Sequence, residues 1–522
     1  MANPEYDIVI VGAGFSGIYL LHNLRKHGFS CRIYESGTDL GGVWHSNTYP
    51  GARVDSEGWI YQLSIPEAWK DWSFTEKYPS ADELRLYFAH LDKTLEIKKD
   101  VEFSTTVETA DGRVTTCRFL LFGIGFASQR YEPDIPGLDS FKGEVCHTSS
   151  WPKGMDVQGK KVAVIGTGAS GVQIVQTLAK EVGSMTVFQR TPNLAVPMQQ
   201  KPLSVEEQAE IKAKLPEIFI ARTQNFGGYL DAPNPAKTFD DPAEEREQFY
   251  QSLLDRGGFA YLLGGYSDLL IDEAANREAY SYWAKKTRAR IHDPRKRDIL
   301  APLQQYHPIG AKRCSMETDY FEQYNRENVD VVDLRAPENA ITNFTPDGIQ
   351  TENGTIYPVD TIILASGFDS YTGSFTRIPH LRNTEGVTIA EEWGRDGATS
   401  YLGMTRKGYP NMFFAYGVHG PTALSNGPTS IEIQGNWIVD AIQKLDKEGL
   451  KYVEPKLEAE QGWKAQLQAI ANMTLFVKAD SWYMGANIPG KKREMINWPG
   501  GSILYDQICR KALEDWEGFV TV

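Results

Sequence analysis

The chain carries two copies of the glycine pattern Gly-x-Gly-x-x-Gly, and each copy directly follows a short apolar run. Residues 12–17 follow the run Tyr6–Val11, and residues 166–171 follow Lys161–Ile165. An apolar strand that leads into a glycine turn and then a helix is the dinucleotide-binding unit of doubly wound α/β proteins. The two units therefore predict an α/β fold with two Rossmann-like dinucleotide-binding domains.

The first unit has every part that a dinucleotide site needs. Gly12 permits a tight turn, Gly14 lets the backbone approach a pyrophosphate, and Gly17 lets the helix pack closely on the strand. Free N–H groups at the start of the following helix, predicted to run to about residue 26, favour the anion. A second apolar run, residues 31–35, ends in Glu35, an acid suited to accept a ribose hydroxyl.

The second unit differs from the first at the ribose end. Its second predicted strand, residues 185–188, is followed by Gln189, Arg190 and Thr191 instead of an acid. A guanidinium in this position pairs with a 2′-phosphate, which a carboxylate would repel. We therefore expect FAD in the first unit and NADPH in the second.

Composition excludes several other classes of protein. The 522 residues carry a net charge of −14, and this argues against a nucleic-acid partner because such affinity depends on clustered Lys and Arg. No apolar stretch is long enough to span a bilayer, and the first residues are acidic where a secretion signal is basic. The five cysteines are scattered without a C-x-x-C pair. We expect a cytoplasmic enzyme, a monomer or weak oligomer, with no metal, membrane or nucleic-acid partner.

Residues 202–300 change in character to amphipathic segments rich in Glu, Lys and Arg. Ser204 with Glu207 predicts a helix-capping box, and Asp241 with Pro242 predicts an N-cap followed by proline at the first helical position. The aromatic residues of this region, such as Phe259, are expected to belong to a core. The pattern indicates an inserted helical subdomain.

A further segment, Phe141-Lys-Gly-Glu-Val-Cys-His147-Thr-Ser-Ser-Trp151-Pro152, lies between the two glycine units. Its spacing, F-x-G-x-x-x-H-x-x-x-W-P, is the fingerprint of type I Baeyer–Villiger monooxygenases, which this chain strongly resembles. Residues 41–55 also match the family's second signature, [AG]-G-x-W-x4-[FY]-P-[GM]-x3-D, at every fixed position.

This resemblance implies an FAD- and NADPH-dependent enzyme. Such an enzyme inserts one oxygen atom of O₂ beside the carbonyl of a small-molecule ketone and forms an ester or lactone through a C4a-peroxyflavin and a Criegee intermediate. The resemblance does not indicate which ketone is used.

The resemblance also implies roles for single residues. Arg313 is the expected catalytic cation, because a guanidinium stays charged and can stabilise an oxyanion. Asp55 is expected to orient Arg313, and Lys312 to add a second charge for NADPH. Trp482 is expected in a mobile loop, residues 480–492, that folds over the nicotinamide. The residues expected to bind cofactor are Gly12, Gly14, Ser16, Gly17, Glu35, Gly42, Val43, Trp44, Asp55, Tyr61, Gly166, Thr167, Gly168, Ser170, Gly171, Gln173, Arg190, Thr191, Lys312 and Trp482.

The implied domain order alternates between the two nucleotide-binding domains. The FAD domain is expected at residues 1–140 and 376–522, the NADPH domain at 141–200 and 306–375, and the helical insertion at 201–305. The element Ala365-Ser-Gly367-Phe-Asp369 resembles the one that closes the NADPH domain, and residues 421–426 resemble a loop that shapes the ketone pocket.

Two stretches depart from the family pattern. Between residues 104 and 116 the family has a longer hairpin, whereas this chain has a short segment in which Asp111-Gly112 predicts a tight turn. Residues 122–125, Phe-Gly-Ile-Gly, stand where relatives commonly read Ala-x-Gly. Both changes concern packing at the edge of the FAD domain.

Three alternatives remain open on the sequence. A flavin-containing monooxygenase that oxidises nitrogen or sulfur shares the architecture, although its fingerprint typically lacks the Trp-Pro ending. A pyridine-nucleotide disulfide reductase also shares it, but would need the C-x-x-C dithiol that is missing here. A non-enzymatic FAD-binding module would not need Arg190, Lys312 and Arg313.

Overall fold

The structure is a computed structural model that describes residues 4–106 and 114–522. The turn predicted at Asp111-Gly112 lies outside the described residues. The described strands are β1 (Tyr6–Val11), β2 (Cys31–Tyr34), β3 (Val101–Glu102), β4 (Cys117–Phe122), β5 (Glu144–His147), β6 (Lys161–Ile165), β7 (Ser184–Gln189), β8 (Ala195–Pro197), β9 (Ser315–Glu317), β10 (Val329–Asp333), β11 (Ile341–Thr345), β12 (Gly348–Thr351), β13 (Ile356–Pro358), β14 (Thr361–Leu364), β15 (Met412–Phe414), β16 (Val453–Pro455) and β17 (Phe519–Thr521).

About half of the connections between successive described strands contain an α-helix. The described α-helices are α1 (Phe15–Lys26), α2 (Val43–Ser46), α3 (Pro66–Trp69), α4 (Ala81–Leu95), α5 (Ala169–Leu178), α6 (Val205–Thr223), α7 (Ala243–Arg256), α8 (Ala260–Leu263), α9 (Glu273–Arg288), α10 (Pro294–Leu300), α11 (Tyr320–Gln323), α12 (Thr372–Thr376), α13 (Ile389–Asp396), α14 (Gly427–Glu448), α15 (Leu457–Asn472) and α16 (Gly501–Glu514). Short 3₁₀ helices include Thr148–Ser150, Leu475–Lys478 and Trp482–Met484.

The first sheet has the strand order β15-β4-β1-β2-β3, and all its pairs are parallel. Its central strand β1 ends at Val11, so the first glycine turn leaves the sheet at the carboxyl ends of the strands. That edge is where open α/β sheets bind their ligands. The C-terminal part of the chain returns to this sheet through β15, whose Phe413 lies opposite Leu121 of β4.

The second sheet repeats this plan in the order β10-β7-β6-β14-β5, again with parallel pairs. The fingerprint segment supplies its edge strand β5, in which Cys146 lies opposite Ile363 of β14. Phe141, the first fingerprint residue, is buried in an apolar cluster on this sheet. The predicted α/β fold with two Rossmann-like units is confirmed.

Smaller sheets join distant parts of the chain. Strands β11, β12 and β13 form an antiparallel sheet beside the second Rossmann unit, and β16 pairs with β17 near the C-terminus. Strands β8 and β9 pair in parallel, with Val196 opposite Met316. Because β8 precedes the helical region and β9 follows it, this pair joins the two ends of that region.

Helices α6 to α10 form the helical region between residues 205 and 300. The predicted capping box at Ser204 and Glu207 is present. The prediction for the next helix is wrong by one residue, because Pro242 is itself the extended N-cap and α7 starts at Ala243. Asp241 does not cap the helix; it accepts a hydrogen bond from the hydroxyl of Tyr266 at 2.6 Å.

A buried ion pair fastens this helical region to the first Rossmann unit. Arg222, at the end of α6, is fully buried and donates to Glu432 of α14 at 2.6 Å and to the carbonyls of Ile60 and Gln62. Glu432 also accepts from the backbone N–H and the hydroxyl of Ser64. Both charged groups in this contact therefore have partners, as a buried ion pair requires, and only Nε of Arg222 has no acceptor among the described residues.

In the part of the chain that the structure describes, no helix is both long and apolar enough to cross a membrane. The five cysteines are free thiols. Among the same residues, no group of His, Cys, Asp and Glu side chains is placed to hold a metal ion.

Candidate active site

The first glycine turn is built by backbone contacts that leave no room for side chains. A Cβ on Gly17 would overlap the carbonyl oxygen of Gly12, and one on Gly12 would lie 2.7 Å from the carbonyl oxygen of Gly123. A methyl group at position 123 would lie 3.0 Å from the backbone nitrogen of Gly17. The glycine that replaces the family's alanine therefore allows a closer approach between β4 and the turn.

The second signature packs directly on this turn. Gly42, with φ +55°, lies so close to Gly14 that a Cβ on Gly42 would be 3.3 Å from the Gly14 Cα. The backbone N–H of Gly41 donates to the carbonyl of Ala13 at 3.0 Å. Ser16 is buried at the start of α1, whereas Val43, the first residue of α2, is exposed. The first glycine turn and the second signature therefore form one continuous backbone surface.

Glu35 organises the same turn. One carboxylate oxygen accepts from the N–H of Ala13 and the other from the N–H of Gly37, both at 2.6 Å. These bonds hold the acid at the end of β2, beside the glycines. Its predicted contact with a ribose hydroxyl stays a prediction.

The helices that follow the two glycine turns start without a side-chain cap. Gly14 precedes α1 and Gly168 precedes α5, and neither helix has a side-chain hydrogen bond at its N-terminus. Helices elsewhere, such as α4 behind Ser80 and α6 behind Ser204, are capped by a hydroxyl. The amides at the start of α1 and α5 thus keep the capacity to bind an anion.

The second glycine turn copies the first, but the side chains behind it bind to the first unit. A Cβ on Gly171 would overlap the carbonyl oxygen of Gly166. Gln173 accepts from the hydroxyl of Tyr49 at 2.7 Å and donates to the carbonyl of Arg53 at 3.0 Å. The hydroxyl of Ser170 also contacts Tyr49, at 3.2 Å. Ser170 and Gln173, predicted as cofactor residues, therefore join the two units in this structure.

Two cations stand where the 2′-phosphate of NADPH is expected. Arg190 follows β7 and is exposed, and Lys312 is half-buried. Burial, together with the charge of Arg190, lowers the pKa of Lys312 to about 8, against a smaller opposing effect of Asp480. The next residue, Thr191, accepts from the hydroxyl of Thr167 through its carbonyl at 3.1 Å. Two like charges held this close are suited to an anion between them.

The predicted catalytic residues are in direct contact. Arg313 donates from Nε to Oδ2 of Asp55 at 2.7 Å and from Nη2 to Oδ1 at 3.0 Å. Its Nη1 donates to the carbonyl of Ala423 at 2.8 Å. Burial alone would lower the pKa of the guanidinium, but the charge of Asp55 holds it well above the ordinary value. Arg313 is therefore a permanent cation in a fixed orientation.

Two residues of the helical region complete this cluster, and sequence reasoning missed both roles. The hydroxyl of Tyr229 accepts from Nη2 of Arg313 at 2.9 Å, and the guanidinium lies 4.6 Å from the ring centroid of Phe259. Phe259 was expected to be core, and it is buried as well as in contact with Arg313. No spacing marks Tyr229, which lies 84 positions from Arg313.

The aromatic residues expected beside the flavin form a compact group. Trp44 donates from its indole N–H to the hydroxyl of Tyr61 at 3.1 Å, and the two rings meet edge to face. Phe15 packs edge to face on Tyr61 with ring centroids 5.4 Å apart. The group lies next to the first glycine turn, because Phe15 is the first residue of α1.

Trp482 lies within a stack of rings. Its indole is nearly parallel to Phe126, with centroids 5.4 Å apart, and to Tyr371, at 5.9 Å. The following residues of its loop contact the element that closes the second unit. Asn487 donates to the carbonyl of Phe368 at 2.9 Å, and Lys491 pairs with Asp369 at 2.6 Å. The predicted mobility of this loop stays a prediction.

The fingerprint histidine connects β5 to the same closing element. His147 is buried, and its Nε2 lies 3.1 Å from the carbonyl oxygen of Gly367. A carbonyl only accepts, so Nε2 carries the proton, and Nδ1 accepts from the backbone N–H of Ser149. Burial lowers the pKa of His147, consistent with a neutral ring. The histidine therefore joins two segments of the second unit.

Comparisons with known proteins agree with this geometry. A family model described as an NAD(P)-binding Rossmann-like domain matches residues 10–72. The FAD-binding monooxygenase acrE of Aspergillus aculeatus is 44% identical over 535 residues, which cover 100% of this chain and 90% of that protein. Cyclopentanone 1,2-monooxygenase of Comamonas sp. is 40% identical over 534 residues, covering 99% of this chain and 96% of that protein.

Solved structures extend the likeness to the whole fold. OTEMO in complex with FAD and NADP has a TM-score of 0.95 and 33% identity over 100% of both chains. Cyclohexanone monooxygenase from Rhodococcus sp. Phi1 bound to NADP+ has a TM-score of 0.94 and 34% identity over 99% of both chains.

Two dinucleotide-type turns on this pair of Rossmann units, with a buried cation held by Asp55 of the second signature, define a two-nucleotide flavoprotein oxidoreductase. The relatives narrow this class further. The chain belongs to the type I Baeyer–Villiger monooxygenases, which use FAD, NADPH and O₂ to oxidise ketones. The predicted function and both predicted cofactors are confirmed, because the relatives and solved structures named for ketones support this function over nitrogen or sulfur oxygenation. One relative that is 34% identical, from Lysobacter antibioticus, is named a phenazine N-monooxygenase.

Proposed function

We propose that FAD binds at the first glycine turn, that NADPH binds at the second, and that Arg313, held by Asp55, acts on the ketone. The observation that carries the proposal is the two-point contact between Arg313 and Asp55. It fixes a permanent cation at the junction of the two nucleotide units and the helical region.

The residues around each turn fit the group assigned to them. Uncapped helix starts after Gly14 and Gly168 offer amides to two pyrophosphates. Glu35 lies at the ribose end of the first turn, and Arg190 with Lys312 lies at that of the second. Of the two ribose ends, the one at the second glycine turn carries positive charge and the one at the first carries an acid. This difference supports NADPH at the second turn and FAD at the first.

Bound flavin, once reduced by NADPH, supplies the activation of O₂. The chain's own contribution is electrostatic. When a nucleophilic oxygen adds to the carbonyl carbon, negative charge develops on the ketone oxygen, and a guanidinium already in place would stabilise it without reorganisation. Asp55 keeps the planar guanidinium of Arg313 oriented, and the ring of Phe259 packs on it with its centroid 4.6 Å from Cζ. These contacts hold Arg313 still while leaving it charged.

For the substrate, we propose a small cyclic ketone, converted to a lactone. Two names support this class: a relative that is 40% identical is named for cyclopentanone, and a structural neighbour is named for cyclohexanone. The loop that carries Ala423 is the one expected to shape the pocket, and the half-buried Leu424 follows directly. Small open-chain ketones are the competing class, since another relative is an acetone monooxygenase.

The test is product analysis with purified enzyme, NADPH and a series of ketones. We expect lactone from cyclopentanone and cyclohexanone, and less ester from acetone. Arg313→Ala should keep FAD bound and should consume NADPH without forming lactone. Arg313→Lys keeps the charge but loses the fork, so we expect only partial activity. Lactone formation by Arg313→Ala at the rate of the unchanged enzyme would refute the assignment.

We also infer that the enzyme works in the cytoplasm as a monomer or weak oligomer. Five free thiols, four of them buried, support a reducing compartment. Size-exclusion chromatography with light scattering measures the oligomeric state directly.

A further inference from the structure

The guanidinium of Arg313 has a further anchor besides Asp55 and the carbonyl of Ala423. Tyr229, on the segment that follows α6, contacts Nη2 through its hydroxyl at 2.9 Å. The same hydroxyl lies 3.1 Å from Oγ of Ser56. Tyr229 and Ser56 are both buried, so water does not compete well for these bonds.

These contacts close a ring. Asp55 and Ser56 are neighbours in sequence; Asp55 binds Arg313 directly, and Ser56 binds it through Tyr229. Because the oxygen of Tyr229 accepts from Arg313, its own proton is available to donate to Ser56. Burial raises the pKa of Tyr229 to about 12, opposed by the charge of Arg313, so the phenol keeps that proton at neutral pH.

Together with the bond to Ala423, these hydrogen bonds use four of the N–H groups of Arg313. A guanidinium has five N–H bonds. Two point to Asp55, one to Tyr229 and one to the carbonyl of Ala423. One N–H of Nη1 therefore has no acceptor among the residues that the structure describes.

We propose that Tyr229, supported by Ser56, is a positioning residue that holds the Arg313 guanidinium so that a single N–H of Nη1 is offered to the ketone oxygen. This inference rests on the proposed role of Arg313. Phe259 assists from the side, since its ring packs edge to face on Tyr229 with centroids 5.3 Å apart. The helical region thus takes part in setting the geometry of the reaction.

The test compares Tyr229→Phe and Ser56→Ala with the unchanged enzyme. Tyr229→Phe keeps the ring that packs on Phe259 and removes only the hydroxyl. We expect kcat for lactone to fall roughly 5- to 30-fold, as for loss of a charged hydrogen bond, with KM for ketone changed less than about twofold. NADPH use should shift from lactone towards hydrogen peroxide. Ser56→Ala should change both quantities in the same direction and by less.

A second readout does not depend on turnover. Phenylglyoxal reacts with guanidinium groups, and peptide mass spectrometry reports the labelling of Arg313. We expect Arg313 to be labelled several-fold faster in Tyr229→Phe than in the unchanged enzyme, because one N–H and its anchor are released. Tyr282→Phe is the matched control: it loses a hydroxyl bonded to Gln251 at 2.9 Å in the same helical region. It should change neither the labelling nor kcat.

The measurements distinguish the positioning role of Tyr229 from the catalytic role of Arg313. If Tyr229→Phe keeps the kcat, the coupling and the labelling rate of the unchanged enzyme while Arg313→Ala forms no lactone, only the positioning role is wrong. If Arg313→Ala still forms lactone, the assignment of Arg313 fails, and the inference fails with it. A lower kcat with faster Arg313 labelling and unchanged KM supports the positioning role.

Discussion

Asp55 accepts hydrogen bonds from Nε and Nη2 of Arg313, at 2.7 and 3.0 Å, although 258 positions separate the two residues in the chain. The pair joins the last residue of the second signature to the loop before β9. Because one residue comes from the first nucleotide unit and the other from the segment between the helical region and β9, any movement between these parts would strain the pair.

The first prediction concerns this pair. Asp55→Asn keeps the shape but removes the charge, so the guanidinium loses its orienting partner. We expect kcat for lactone to fall roughly 10- to 100-fold with FAD content unchanged. Steady-state assays with product quantification measure it. Asp82→Asn, which changes an exposed pair with Arg85, serves as control and should have no effect. Full activity in Asp55→Asn would show that the pair is only structural.

The second prediction concerns pH. The pKa of Lys312 is lowered by burial and by Arg190 to about 8, so the ammonium is present below this pH and is lost above it. Its attraction for the 2′-phosphate is therefore expected to weaken as pH rises. We expect KM for NADPH to increase several-fold from about pH 7 to about pH 9. NADH lacks the phosphate and should show no such increase, and neither should NADPH with Lys312→Gln.

The third prediction concerns the buried ion pair of Arg222 and Glu432. Arg222→Met leaves Glu432 charged in a buried site with the bonds from Ser64 as its remaining partners. We expect the free energy of unfolding to fall by about 3–5 kcal/mol. Urea unfolding followed by tryptophan fluorescence measures the shift of the midpoint. Lys285→Ala removes an exposed pair with Glu247 and should cost about 0–1 kcal/mol. Equal effects of the two changes would contradict the argument.

The fourth prediction concerns the loop that contains Trp482. Lys491→Ala removes the pair with Asp369 and the bond to the carbonyl of Ser370. We expect faster cleavage by chymotrypsin at Trp482 and Tyr483, and a larger share of NADPH consumed without product. Lys492→Ala is the control, because Lys492 is mostly exposed and does not contact Asp369. The loop is held by other contacts if cleavage rates do not differ.

Much of the fold could be predicted because its signals are local. Strand, glycine turn and helix follow one another directly, so β1 and β6 have the predicted bounds and α1 ends at residue 26, as predicted. The capping box at Ser204 needs only four neighbouring residues. The cap at Asp241 failed because a distant hydroxyl, that of Tyr266, binds the carboxylate instead. Helix-capping propensities describe neighbouring residues only, so they do not predict a competing hydrogen bond from a residue that is distant in the chain.

In the candidate site, too, residues that belong to a local pattern could be predicted, whereas contacts between distant segments could not. The resemblance to the family named Arg313 and Asp55, and the structure brings the two side chains into contact, while their catalytic role stays a prediction. Gln173 and Ser170 were expected to face a cofactor, whereas their hydrogen bonds run to Tyr49 and Arg53 across the unit boundary. That contact depends on how α5 packs against the first unit, which no spacing records.

By itself, the sequence determined the number of nucleotide units, the charge at each ribose end and the family, because backbone turns and local charge follow from short runs of residues. Only the tertiary structure decided that Tyr229 and Ser56 reach Arg313 and that Arg222 is buried against Glu432. These contacts join residues that are 84, 173 and 210 positions apart. Their formation depends on how helices and sheets pack, since hydrogen bonds across such separations exist only once the chain has folded around them.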